Sequence, residues 1–200
     1  MNPDTAFNEN TIVLASASPR RKEILQRMGL PFIARPADID ETVTSADPAG
    51  AVKELAVEKV MSACEKNKDL NARWYLAADT MVIIEGRMLG KPSCVAEAGG
   101  FLRSLSGRRH DVFTALALYD NKEKILISDA DKSVVFFSKL SDRDIEWYLK
   151  TGEWEDAAGG YRIQEKGECL IDRIEGSYSN IMGLPIRLFF SILLSAGYPV

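Results

Sequence analysis

The chain is poor in the residues that most metal and redox proteins depend on. It has 3 cysteines and 1 histidine in 200 residues. Cys64, Cys94 and Cys169 are widely spaced, with no C-x-x-C pair, so neither a zinc ribbon nor a dithiol redox centre can be assembled from them. Buried, reduced, inert thiols are the expectation, and with them a cytoplasmic setting. His110, flanked by Arg109 and Asp111, has no second histidine to work with and reads as a surface or capping residue. The G-x-x-x-x-G-K-[ST] and G-x-G-x-x-G loops are both missing, which removes the Walker and dinucleotide-binding strategies. There is no excess of basic charge: the net charge is −4, which argues against a nucleic-acid duplex partner. The most apolar run, Leu184 to Ala196, is cut by Arg187 and is shorter than the roughly 20 residues of a membrane span. The polar first residues lack the basic-then-apolar pattern of a signal peptide. No repeat and no Pro/Gly-rich linker divides the chain.

What is present is a cation-rich turn. Thr11 to Ala15 reads as a strand, and Ser16-Ala17-Ser18-Pro19-Arg20-Arg21 follows it into a helix to about Met28, closed by Gly29. Ser18 suits an N-cap and Pro19 the first helical position. Backbone N–H groups at a helix start favour anions, and Arg20 and Arg21 add guanidinium forks shaped for phosphate oxygens. A strand near Phe32 to Arg35 leads to the acidic turn Asp38 to Glu41. Asp47-Pro48 then opens a second helix with Val52, Leu55, Ala56, Val60 and Ala63 on one stripe. Lys59 sits beside that stripe, where it either snorkels or reaches across a cleft.

Trp74 to Ala78 reads as a buried strand that reaches a loop at Asp79-Thr80, with Met81 to Ile84 continuing it or pairing with it. Glu85-Gly86 signals a turn. Helices are expected from Val95 to Leu105 and from the Ser141 cap to about Lys150. Val112 to Tyr119 and Lys124 to Phe137 read as a long antiparallel hairpin, Cys169 to Ile174 as a strand, and Pro185 as the start of the last helix. Leu188, Phe189, Ile192 and Leu193 of that helix are expected in the core. The mixture implies an α/β (mixed α+β) fold with a mixed central sheet. Residues 1–10 read as a disordered or short N-terminal extension and 11–200 as a single domain.

The remaining chemistry is carboxylate plus cation. Asp79 and Glu41 offer the oxygen ligands that suit Mg²⁺ or Mn²⁺, whose shell is completed by water and substrate phosphates. A carboxylate so placed can also deprotonate an attacking water. From position alone, Asp79 reads first as a turn-capping aspartate.

Six motifs occur in order: S-A-S-P-R-R at Ser16, A-A-D-T-M-V at Ala77, L-G-K-P at Leu89, L-S-G-R-R-H at Leu105, A-G-G-Y-R-I-Q at Ala158 and N-I-M-G-L-P at Asn180. Over about Ile12 to Gly197 the chain resembles the Maf family of nucleoside triphosphate pyrophosphatases. The resemblance implies an ITPase-like arrangement, with an elongated mixed sheet flanked by helices and two lobes with the site in the cleft between them. It implies hydrolysis of dTTP and UTP, and of modified pyrimidine nucleotides, to the monophosphate and pyrophosphate. The biological setting would be nucleotide-pool sanitation or cell-division control.

It also implies roles residue by residue. Asp79 is the proton acceptor, and Lys59, Lys91 and Glu41 share in catalysis. Ser16, Arg20, Arg21, Thr80 and Gln164 contact substrate, and Glu41 and Asp79 hold the divalent metal. A glutamine amide such as Gln164 suits the O4 and N3–H edge of thymine or uracil. Related readings are the same chemistry on CTP or 7-methyl-GTP, and a non-catalytic nucleotide-binding regulator of septum formation. Ala157 and Arg162 depart from the pyrimidine subgroup's usual lysine and glycine. Trp154 either stacks on a base or packs. Families of this kind include homodimers; no membrane partner is expected.

Overall fold

A computed structural model describes residues 8–37, 39, 45 and 47–200 of the chain. Its elements follow the hydrophobic rhythm closely. Strand β1 (Ile12–Leu14) is wholly buried and leads into α1 (Pro19–Arg27), whose Ile24 and Leu25 face the core. Strand β2 (Phe32–Ala34) follows, then α2 (Pro48–Lys66). The Asp47 side chain accepts from Gly50 N–H at 2.9 Å, satisfying one of the donors every helix start leaves over.

Strand β3 (Trp74–Ile84) runs through Asp79 and Thr80 without a break. Asp79 is therefore a residue inside a strand, and the expected loop at this point does not exist. The β-branched Val82, Ile83 and Ile84 carry the strand onward, and Val82 to Ile84 pair antiparallel with β4 (Arg87–Leu89). Helix α3 (Val95–Leu105) precedes β5 (Arg109–Asp120) and β6 (Ile125–Phe137). The Asp120 carboxylate accepts from the N–H groups of Lys122 and Glu123, and Lys124 takes φ +58°. That left-handed residue belongs to the turn, so β6 opens one residue later than its sequence suggests.

Helix α4 (Asp142–Leu149) carries a complete capping box between Ser141 and Asp144. Glu165–Leu170 is 3-10 helix, so Cys169 and Leu170 precede β7 (Ile171–Glu175) instead of opening it. A short helix, α5 (Tyr178–Ile181), is capped by Ser177; α6 (Ile186–Ser195) closes the chain.

The strands form one mixed sheet in the order β2-β1-β3-β5-β6-β7, with β4 on β3. Strand β1 pairs parallel with both β2 and β3, whereas β6 and β7 are antiparallel. The chain divides into two compact units. The first comprises the described residues of Met1–Asp79, Ala115–Ala130 and Ile186–Val200, and the second Thr80–Thr114 and Asp131–Pro185.

In the first unit, Ile12, Leu14, Trp74, Tyr75, Leu25 and Phe189 are fully buried. Each such side chain contributes about 1.5–3 kcal/mol of apolar burial. Phe189, Ile192 and Leu193 are core, as expected, while Leu188 is half-buried. In the second unit the core gathers Val82, Leu89, Leu102, Val135, Phe137, Tyr148, Trp154 and Tyr161. Trp154 packs there, its indole N–H donating to Leu149 O at 3.0 Å. No helix among the described residues is long and apolar enough to cross a membrane.

Candidate active site

In the first unit, parallel pairing sets the geometry. Leu14 is in register with Leu76, and Ala15 N–H donates to Leu76 O at 2.8 Å. Ser16 and Asp79 therefore lie just past the carboxyl ends of two neighbouring parallel segments, the position where open α/β sheets collect ligands.

The turn after β1 is built by Ser16. Its side chain is 7% exposed, and its Oγ accepts from Ser18 N–H at 3.2 Å and from Arg21 Nη1 at 3.1 Å. Ser18 occupies the N-cap position of α1, yet its side chain makes no capping hydrogen bond. The expected serine cap is thus absent. Ser16 instead ties the turn, and the Ser18 side chain makes no bond to the α1 amides. Helix N-termini favour anions through their amides and their dipole. Arg20 and Arg21 are half-buried at this end.

Lys59 settles the choice between snorkelling and reaching inward. Its Nζ lies 2.5 Å from Asp79 Oδ1, and the two side chains are only 12% and 11% exposed. The one cation on the edge of the α2 stripe meets the one carboxylate in the middle of β3. The ammonium fixes the orientation of that carboxylate. Asp79 is thus neither a turn cap nor a solvated side chain.

The other expected site residues belong to the second unit or lie outside the described residues. Glu41 is among the latter. Lys91 is exposed in the segment after β4. Gly90 O in that segment accepts from Gly159 N–H at 3.0 Å, tying it to the segment that carries Gln164. Gln164 is half-buried, and its Oε1 is fully buried without a hydrogen-bond partner among the described residues. A buried acceptor left unmatched costs about 1–3 kcal/mol, so such atoms mark places where a ligand donor fits. Thr80 Oγ1 lies 3.0 Å from Thr114 Oγ1, and Thr114 donates to Asn180 O at 2.8 Å.

Three features escaped the sequence. His110 is not a surface or capping residue: it is 2% exposed, with Nε2 2.7 Å from the Tyr161 hydroxyl and the ring edge-on to Phe137 and Tyr161. Burial pushes its pKa down to about 4, so the ring is neutral at ordinary pH, and burial raises that of Tyr161. Asn180 is fully buried, its Nδ2 donating to Val112 O and Ser133 Oγ. The S-x-x-N spacing from Ser177 was the available signal. The cysteines, finally, are not buried: Cys94 and Cys169 are exposed and Cys64 is half-buried, all as free thiols.

No group of three or more His, Cys, Asp or Glu comes together to hold a metal among the described residues. An Mg²⁺-type site needs only one or two carboxylates, the rest of its shell being water and substrate phosphate. The donor set here, one inward carboxylate beside a phosphate-seeking turn, fits that type.

A family model described as Maf-like protein matches residues 11–196. A dTTP/UTP pyrophosphatase of Symbiobacterium thermophilum is 40% identical over 190 residues, covering 94% of this chain and 95% of that protein. One of Myxococcus xanthus is 41% identical over 201 residues, covering 100% and 97%. Among solved structures, a nucleoside-triphosphatase / dITP/XTP pyrophosphatase from Mycobacterium abscessus matches with a TM-score of 0.43 at 15% identity, covering 65% of this chain and 74% of that one.

Proposed function

The chain belongs to the Maf family, and from that premise we propose that it is a hydrolase acting on nucleoside triphosphates. It cleaves dTTP and UTP between the α and β phosphorus atoms, releasing the nucleoside monophosphate and pyrophosphate. The observation that carries this reading is the inward Lys59–Asp79 pair, three residues past the part of β3 that pairs with β1, beside the turn formed by Ser16 and Arg21.

Phosphate is held by the amide end of α1 and by the guanidinium groups of Arg20 and Arg21. Asp79, oriented by Lys59, accepts the proton of a water whose oxygen attacks the α-phosphorus. The bond from the α-phosphorus to the bridging oxygen breaks, and its electron pair leaves with pyrophosphate. Lys59, Lys91 and Arg20 offset the negative charge that builds on the phosphate oxygens. Asp79, with Glu41, would hold Mg²⁺ or Mn²⁺, which supplies charge neutralisation at the phosphates. The uncapped Oε1 of Gln164 supports its reading of a base that carries an N–H donor.

The test is pyrophosphate release from dTTP, UTP, CTP, GTP and 7-methyl-GTP with Mg²⁺ or Mn²⁺, with Asp79→Asn alongside. Turnover of dTTP and UTP that is lost in the variant supports the reading. Nucleotide binding without any pyrophosphate release replaces it with the regulator.

A further inference from the structure

The segment that carries Gln164 is a small loop pinched shut at its base. A Cβ added at Gly167 would come within 1.8 Å of Arg162 O, so only glycine lets the chain return this close to itself. Between these two ends lie Ile163, Gln164, Glu165 and Lys166. Ile163 is buried and Gln164 half-buried, while Glu165 and Lys166 are exposed. Glu165, directly after Gln164, takes φ +60°, a left-handed conformation that costs a residue with a side chain about 1–2 kcal/mol. Such a conformation persists only where its surroundings over-determine it.

Two buried side chains supply that constraint, one at each end of the loop. The hydroxyl of Tyr148, fully buried on α4, accepts from Arg162 N–H at 3.0 Å. Glu153, 6% exposed, accepts from Gly167 N–H through Oε2 at 3.1 Å. Both pins come from the end of α4 and the turn after it, which are tied to each other. Thr151 Oγ1 donates to Tyr148 O at 2.7 Å and accepts from Glu153 N–H at 3.1 Å. The approach to the loop is held as well, by the 2.7 Å contact between the Tyr161 hydroxyl and His110 Nε2. What this constraint holds in place is the Gln164 amide, whose Oε1 is buried without a hydrogen-bond partner among the described residues. A group fixed before binding loses little freedom when a ligand arrives.

We infer that Tyr148 and Glu153 are positioning residues for substrate binding: they fix the loop 163–166 so that the Gln164 amide is presented to the nucleotide already in place. The inference rests on the reading of Gln164 above and deepens it.

The experiment is kcat and KM for dTTP with Mg²⁺ in the wild type, Tyr148→Phe, Glu153→Leu, Glu153→Gln and Gln164→Ala. The Tyr148→Phe/Gln164→Ala double variant completes the set, with Tm recorded for each. Tyr148→Phe deletes one oxygen and keeps the ring, so it carries the test even if Glu153→Leu does not fold. Losing one pin should raise KM about fivefold, one hydrogen bond's worth, and lower kcat by less. Glu153→Gln keeps an acceptor for Gly167 N–H and should stay near the wild-type KM. A loop with no amide to present cannot misplace it, so Tyr148→Phe should add almost nothing to KM once Gln164 is alanine. A general packing defect would instead raise KM by the same factor in both backgrounds. That result, or a Tyr148→Phe enzyme with the wild-type KM, overturns the positioning role alone. A Gln164→Ala enzyme with the wild-type KM removes Gln164 from substrate binding and overturns the positioning role with it. A wild type that releases pyrophosphate from neither dTTP nor UTP overturns the pyrophosphatase reading on which both depend.

Discussion

Replacing Lys59 by methionine keeps most of the side-chain volume and removes the charge that faces Asp79. The two groups are 2.5 Å apart and about nine-tenths covered, so their attraction before desolvation is roughly 7 kcal/mol at an effective dielectric of about 20. Most of that is cancelled by the cost of taking both ions out of water. The loss on deleting one partner is a different quantity, because it strands the other charge. For buried pairs it runs to about 3–5 kcal/mol, and the residual exposure here points to the lower end. In a chain of this length about 3 kcal/mol corresponds to a fall in Tm of roughly 6–12 °C. Asp79→Asn should cost stability too, since it strands the ammonium. The double variant should cost less than the two singles added together, with a coupling of about 2 kcal/mol. Calorimetry or urea unfolding of the four proteins measures this. Additivity within about 0.5 kcal/mol would refute the pair, and with it the claim that Lys59 orients the Asp79 carboxylate.

Asp79→Asn should abolish pyrophosphate release while retaining nucleotide binding by calorimetric titration; a variant with most of its kcat would remove Asp79 from the proton-acceptor role. Chelation by EDTA should stop turnover, and Mg²⁺ or Mn²⁺ should restore it. His110 carries a pH signature: its folded pKa of about 4 lies below the unfolded 6.5, so the unfolded chain binds the extra proton. Stability should therefore fall as pH drops from about 6.5 to about 4, by about 3 kcal/mol from this group, and His110→Gln should flatten that part of the pH profile in urea unfolding. A thiol reagent should titrate Cys94 and Cys169 quickly and Cys64 slowly, because burial raises the Cys64 thiol's pKa.

Much of the local architecture was legible in residue order, because its causes are local. The Asp47 and Ser141 caps act within three residues, the α2 and α3 stripes repeat on a 3.6-residue period, and Glu85-Gly86 turns the chain where the two strands must reverse. The pool of candidate side chains was also readable: a histidine-poor, cysteine-poor chain leaves arginine, lysine and carboxylate as its chemistry. The six ordered motifs pointed to the family.

What residue order left open were the contacts between distant segments. Whether Lys59 snorkels or pairs depends on a partner 20 residues away on another element. Asp79 read as a loop residue because it follows an apolar run; the strand instead runs on through it, and Val82 to Ile84 pair with β4. Ser18 read as a helix cap, but Ser16 took the role of tying the turn once Arg21 folded back onto it. His110 and Tyr161 are 51 residues apart, and Thr114 and Asn180 are 66 apart. The sequence by itself determined the elements, their caps and the kind of chemistry available. Only tertiary structure decided which charge is paired and which polar side chains are buried, because burial and hydrogen bonding between distant segments exist only once those segments share a neighbourhood.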